Sequence, residues 1–382
     1  MDPIFRLIRA LEFDDLDQIR ELVPSDVPIS QFENIDEYSP FFVAIECGNV
    51  EIMRFLLDSK VSTEIVDSRA RTPLHLAVSL GNKEIIQTLL DARADINACD
   101  VDDKTPFYRA VSIENKEIVQ FLADAKADIN MPNSCLKSPL LLAAQRGNKE
   151  IVKFLLERKM DDEIFDSDIN TSLHVAIFHG HKEIPQLLLE AQANIETLDS
   201  ANRTPLCAAL LFGQDEIVKV LLEAKANVNV FVKIGSTLYL CEEYTLLYFT
   251  LMKNDMKMTK LLLENRANIN EYNSSKETPL HHAIMAENRT VLKFLIDHEA
   301  WIHANDKNGR SVLDRSSRQI KEFLLRSSTP INFDWSPAVH SLVSETTRQT
   351  ILLIMMFWSI RASSVLIDTP SELLFLLFNF LV

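Results

Sequence analysis

Apolar and polar positions alternate along most of the chain in two helical signatures, separated by short polar breaks. One is a compact block such as Pro73 to Leu80, in which Leu74, Ala77 and Val78 fall on one helical face. The other is a longer amphipathic block such as Lys83 to Asp91, whose Ile85, Ile86, Leu89 and Leu90 form one apolar stripe. Thr72 stands as an N-cap before the first block, with Pro73 at the first helical position, where a missing N–H costs nothing. Asn82 caps the second block after a turn at Gly81. Ala94 to Asn97 then leads into a polar turn around Asp100. The expected unit is a helix-turn-helix joined to its neighbours by a polar finger. One such pair cannot bury its apolar faces alone, so neighbours must stack.

The unit recurs. Thr-Pro-Leu-His stands complete at Thr72 to His75 and at Thr278 to His281, and degenerate copies begin at Ser39, Thr105, Ser138, Thr171, Thr204, Thr245 and Ser311. Starts from Ser39 to Thr204 are 33 residues apart; the next step, to Thr245, is 41, and the last two return to 33. The amphipathic block keeps phase, as GNKEIIQTLLDARADIN from Gly81, ENKEIVQFLADAKADIN from Glu114 and GNKEIVKFLLERKMDDE from Gly147. It returns from Gly180, Gly213 and Asn254, and ALEFDDLDQIRELV from Ala10 aligns with the segment from Ala77. The last copy, from Ser311, is about one helical turn short.

These residues resemble the ankyrin family, whose period is 33 and whose signature is T-P-L-H-x-A. The resemblance covers roughly residues 1–328 and implies an all-α ankyrin-repeat solenoid of helix-turn-helix repeats with short β-hairpin loops. The units fall at 1–33, 34–66, 67–99, 100–132, 133–165, 166–198, 199–239, 240–272, 273–305 and a shortened 306–328. One departure from the family is plain. Where it places Gly after the second helix, this chain has Lys60, Arg93, Lys126, Lys159, Gln192, Lys225, Arg266 and Glu299. A side chain in the left-handed conformation required there costs on the order of 1 kcal/mol, and a basic one recovers part of that at the helix C-terminus.

Composition narrows the function. A formal charge of -16 argues against nucleic acid, whose binders must neutralise phosphates, and against an anionic membrane surface. The five cysteines, Cys47, Cys99, Cys135, Cys207 and Cys241, include no CxxC spacing, which fits neither a disulfide framework nor a zinc ribbon. The N-terminus carries an early acid and no long apolar run, so it is not a secretory signal. A cytoplasmic setting is expected, with the nucleus, or a host cytosol for a secreted or viral protein, as variants of it.

The family resemblance implies a protein partner held by finger tips and by the outer ends of the first helices, on the concave face. Apolar groups at those positions cluster in the later units, at Phe165, Phe178, Leu211, Phe212, Tyr239, Tyr244, Met252, Tyr272 and Met285. Exposed apolar clusters mark interfaces, and aromatic residues dominate their energetics. Packing of some of these groups against the irregular insertion or the tail is the alternative. The insertion, Val230 to Tyr239, alternates about Gly235-Ser236 and reads as a hairpin. The acidic stretch Asp161, Asp162, Glu163, Asp166 and Asp168 reads as a solvated turn edge.

No enzymatic chemistry is expected. GxxxxGK[ST], GxSxG and HExxH are all absent. The resemblance implies a structural role for His75, His174 and His281, tying neighbouring repeats through backbone hydrogen bonds. It also matches Asn97, Asn130, Asn229 and Asn270 to a position that asparaginyl hydroxylases modify. His179-Gly180-His181 falls on an inter-helix turn without metal-ligand support, and nothing beside Cys135 or Cys241 marks a nucleophile. The reading calls for no catalytic residue, no metal and no cofactor.

Residues 329–382 are expected to form an apolar, helical C-terminal tail. Its run Ile351 to Trp358 is 8 residues long and followed by Arg361, short of the roughly 20 that span a bilayer. Thr369, Pro370 and Glu372 make a capping box for a last helix that is apolar nearly all round and must dock. Pro370, Glu372, Leu373, Leu374, Phe378 and Leu381 resemble the start of an F-box and the PRANC segment that follows ankyrin repeats in some viral and bacterial proteins. That resemblance implies recruitment of cullin-type ubiquitin-ligase subunits, although Thr369 replaces the expected Leu. Three readings stay open: a cap on the solenoid, a ligase-recruiting substrate receptor, and a membrane tether.

Overall fold

The computed structural model describes residues 39–158, 162–234, 242–302, 304–312, 314–317 and 319–320, with positions 9, 10, 13 and 17–19 near the start. The chain divides into two compact units, with the boundary between Ala226 and Asn227. Among the described residues, the first contains six helix pairs. They are α1 (Pro40–Glu46) with α2 (Val50–Asp58), α3 (Pro73–Leu80) with α4 (Lys83–Asp91), and α5 (Pro106–Ser112) with α6 (Lys116–Asp124). Next come α7 (Pro139–Arg146) with α8 (Lys149–Glu157), α9 (Asp162–His179) with α10 (Ile184–Glu190), and α11 (Pro205–Leu211) with α12 (Asp215–Glu223). The second unit holds β1 (Phe231–Ile234), β2 (Glu242–Thr245), α13 (Leu246–Met252), α14 (Met256–Glu264), α15 (Pro279–Met285) and α16 (Arg289–Asp297).

The caps act as the sequence implies. Thr105, Ser138, Thr204 and Thr245 each accept a hydrogen bond from the third amide of the helix that follows. Asn49, Asn82, Asn115, Asn148 and Asn288 do the same for the outer helices. In the first unit each inner helix packs on the next inner helix and on its own outer partner. The interface is made by Leu74, Ala77, Val78, Ile85, Ile86 and Leu89, and again by Phe107, Ala110, Val111, Ile118, Val119 and Leu122, all buried. Each large side chain taken out of water contributes roughly 1.5–3 kcal/mol. The recurring Lys-Glu dipeptide forms a surface ladder, Lys83 to Glu117 at 3.1 Å, Lys116 to Glu150 at 2.7 Å and Lys149 to Glu183 at 2.8 Å. Exposed pairs of this kind add little stability but agree with one register.

The fingers share one device. Asp67 Oδ1 accepts from the Arg69 and Arg71 amides at 2.9 and 2.8 Å. Asp100, Asn133, Asp199, Asn273 and Asp306 repeat the pattern. The residue three places on is left-handed each time, at Ala70, Asp103, Leu136, Asn202, Lys276 and Gly309. Adjacent fingers join by backbone bonds, Val101 N to Arg69 O at 3.1 Å and Ser134 N to Asp102 O at 2.9 Å.

The series breaks at the next unit. The acidic stretch expected as a turn edge lies instead within α9 from Asp162 onward, an 18-residue helix. Two residues explain the change. Ile169 stands where the other fingers turn left-handed, and a β-branched residue resists that conformation. Ser172 replaces the helix-starting Pro, whose ring would have kept Thr171 out of the helical region. Ile169 is buried, and Asp168 accepts a hydrogen bond from the Ser138 hydroxyl.

The insertion is a hairpin, as its alternation implies, but centred further along the chain. Phe231 pairs with Thr245, Val232 with Tyr244, Lys233 with Glu243 and Ile234 with Glu242. The returning strand therefore comes from residues after the insertion, and Gly235-Ser236 lies outside the described residues. The expected left-handed helix ends are present among the described residues, with φ of 64° at Lys60, 67° at Arg93, 72° at Lys126, 69° at Gln192, Lys225 and Arg266 and 63° at Glu299; Lys159 lies outside the described residues.

Two outcomes follow for stability. Lys126→Gly should raise the unfolding free energy by about 1 kcal/mol, read from urea denaturation, by relieving the left-handed strain. Ser172→Pro should cost about 3 kcal/mol in the same assay, because it puts a ring inside α9. A neutral Ser172→Pro would mean the segment folds as a finger after all.

Candidate functional site

In the first unit, α9 ends at an exposed aromatic group. Phe178 is 60% exposed and Phe212, just past α11, is 36% exposed. Their rings meet edge to face, with centroids 5.3 Å apart at 89°. The Arg203 guanidinium lies over the Phe212 ring at 5.3 Å. Phe178 also meets His179 edge-on at 5.2 Å, and His179 stacks on His181 at 5.9 Å. His181 Nε2 donates to Gln145 O at 2.8 Å, which ties this cluster to α7. Leu211 is half-buried. Phe165 lies on α9, but its side chain is outside the described residues.

In the second unit, Met252 and Met285 end α13 and α15 and are 43% and 56% exposed. Tyr244 and Tyr272 are half-buried. The Tyr244 ring stacks on buried Tyr248 at 4.6 Å, and Tyr248 packs against His282 at 5.0 Å. Tyr244 is thus partly wall rather than wholly an open contact. Tyr239 is outside the described residues, as are the tail positions Pro370, Glu372, Leu373, Leu374, Phe378 and Leu381. Trp301, 57% exposed, was not among the sequence candidates. Repeat alignment holds its signal, since earlier units place Asp95, Asp128, Asn194 and Asn268 there.

The histidines serve the backbone. His75 Nδ1 accepts from the Thr72 amide at 3.2 Å, so Nε2 carries the proton donated to Lys104 O of the next repeat, at 2.8 Å. His174 Nε2 donates to Thr197 O at 3.0 Å; His281 Nδ1 accepts from the Thr278 amide at 3.1 Å, a bond within its own repeat, and its buried Nε2 makes no hydrogen bond to the next one among the described residues. Asn97, Asn229 and Asn270 are also engaged, accepting from the amides of Asp128, Asn268 and Trp301 at 2.8, 2.8 and 2.7 Å. Burial pushes the Cys207 thiol up to about 11, the opposite of an activated nucleophile. Among the described residues no group of three His, Cys, Asp or Glu is placed to hold a metal.

A family model described as ankyrin repeats (3 copies) matches residues 7–100, 92–168, 161–232 and 235–332. No curated protein matches the sequence significantly. Among solved structures, the chain is similar to the ankyrin repeat domain of Bcl-3, a unique member of the IkappaB protein family. The TM-score is 0.50 at 23% identity, over 56% of this chain and 97% of that one. At that identity the likeness concerns the fold.

Burial holds the His75, His174 and His281 imidazoles below their ordinary value of 6.5, against the pull of neighbouring carbonyls and carboxylates. The unfolded chain therefore takes up these protons first. Stability should be full above that value and fall as pH drops through it. Thermal melts at pH 7.5 and 5.5 check this; equal melting temperatures would contradict a fold that holds these imidazoles neutral.

Proposed function

The chain belongs to the ankyrin-repeat family, a family of protein-interaction modules, and on that premise we propose that its inner-helix face holds a protein partner. The protein acts as an adaptor or scaffold without chemistry of its own. The observation that carries the reading is the Phe178–Phe212 pair, two exposed rings in edge-to-face contact at the ends of adjacent inner helices. Solvent-facing aromatics in contact give a rigid apolar anchor, the kind of group that dominates interface energetics. Met252 and Met285 offer a flexible apolar surface on the second unit. A cytoplasmic setting belongs to the same proposal, supported by the exposed free thiol Cys135.

Proximity labelling with the full chain, followed by titration of the recovered partner, tests the reading. Phe178→Ala and Phe212→Ala should each weaken binding by about 2 kcal/mol, roughly thirtyfold, with an unchanged circular dichroism spectrum. Tyr244→Ala should instead cost about 1 kcal/mol of stability, because it removes a stacked ring from Tyr248. Binding unaltered by both Phe substitutions would overturn the proposal.

A further inference from the structure

The first unit carries a charge pattern at odds with the chain as a whole. The protein has 55 acidic and 39 basic residues. Yet α3, α5, α7, α11 and the Ser172–His179 half of α9 contain no Asp or Glu, and they contain Arg109 and Arg146. The residue before each cap is also basic in four fingers, at Arg71, Lys104, Lys137 and Arg203. Arg71, Lys104 and Arg203 are neutralised within their own fingers by Asp67, Asp102 and Asp199, each at 2.6 Å.

Three cations are left over among the described residues. Arg109 Nε donates to Ser79 Oγ at 2.9 Å and Lys137 Nζ to Gln145 Oε1 at 3.3 Å, both neutral partners. Arg146 ends α7 exposed. None of the three has a carboxylate partner among the described residues. Outer-helix acids are engaged elsewhere, with Glu117, Glu150 and Glu183 bound by the lysine ladder. The finger that would bring acids to the next unit is missing, because Asp166 and Asp168 lie within α9 and Asp168 is bonded to Ser138. Gln145 joins the two halves of the strip: its side chain meets Lys137, and its carbonyl meets His181, beside His179 and Phe178.

From this we infer that the strip from Arg109 through Lys137 and Arg146 to Phe178–Phe212 binds an acidic protein segment carrying an apolar side chain. The inference rests on the inner-face reading above and adds the partner's chemistry. Carboxylates meet the three uncompensated cations, and an aromatic or leucine side chain packs on the Phe pair. Unpaired cations beside an apolar anchor attract and orient such a segment, and they reject a basic one by like-charge contact. A nucleic acid would bring the same sign of charge, but the chain's net -16 repels a long polyanion more than a short acidic segment.

The test is selection of 16-residue random peptides displayed on phage against the full chain, followed by titration of the enriched peptides. The expected peptides are rich in Asp and Glu around a Phe, Trp or Leu and bind more weakly as salt rises. Lys137→Glu with Arg146→Glu should weaken them tenfold or more, with the circular dichroism spectrum unchanged. Enriched peptides that are basic or uncharged, no enrichment, or binding insensitive to salt would overturn the inference. So would tighter binding of a 20-nucleotide single-stranded DNA than of any peptide. If the charge reversal has no effect while Phe178→Ala abolishes binding, the acidic-partner inference fails and the aromatic face stands. If neither substitution has an effect, both fail.

Discussion

Every described helix pair has two apolar faces and can cover only one by itself. Burial of the second against the next pair is the constraint on which the rest depends. It explains why Leu74, Ala77 and Val78 recur with the same spacing as Phe107, Ala110 and Val111, since each set closes the face its neighbour leaves open. It also explains why the signature residues couple local and long-range structure. His75 completes the cap of its own helix through Thr72 and reaches the next repeat through Lys104 O, so one neutral imidazole fixes both a helix start and a stacking register. The Asx residue of each finger does the local half of this work for the loops.

Because neighbour contacts supply the stability, single repeats can depart from the pattern. The unit beginning near 166 gives up its finger and extends its inner helix instead. That exchange removes two acids from a loop and places α9 along α7 with Ile169 buried. It also leaves Phe178 at the end of a longer helix, in contact with Phe212. The apolar pair and the uncompensated cations thus lie together, next to the point where the finger series is interrupted.

Helix pairs, caps and left-handed helix ends were all legible, because period, cap residue and breaker occur together in the sequence. The exposure of Phe178, Phe212, Met252 and Met285 was legible too, since their repeat positions face away from the stack. The long α9 was visible only in two small signs, Ile169 in a left-handed position and Ser172 for proline, which matter only after the other fingers have been aligned. The hairpin's centre was misplaced because Gly-Ser marks a turn locally, whereas the pairing is set by where Glu242 to Thr245 returns. Tyr244 was hard to read because its neighbour Tyr248 lies in a separate element, and stacking between them is a tertiary fact. That Arg109, Lys137 and Arg146 meet no carboxylate among the described residues is tertiary for the same reason.

On the proposed reading a partner sits on the inner-helix face of the first unit. Hydrogen–deuterium exchange of the full chain, with and without its recovered partner, reads that directly. Protection at the segments around 137–146, 172–182 and 203–212 is the result expected. Protection of α4, α6 and α8 with none at those segments would contradict the account.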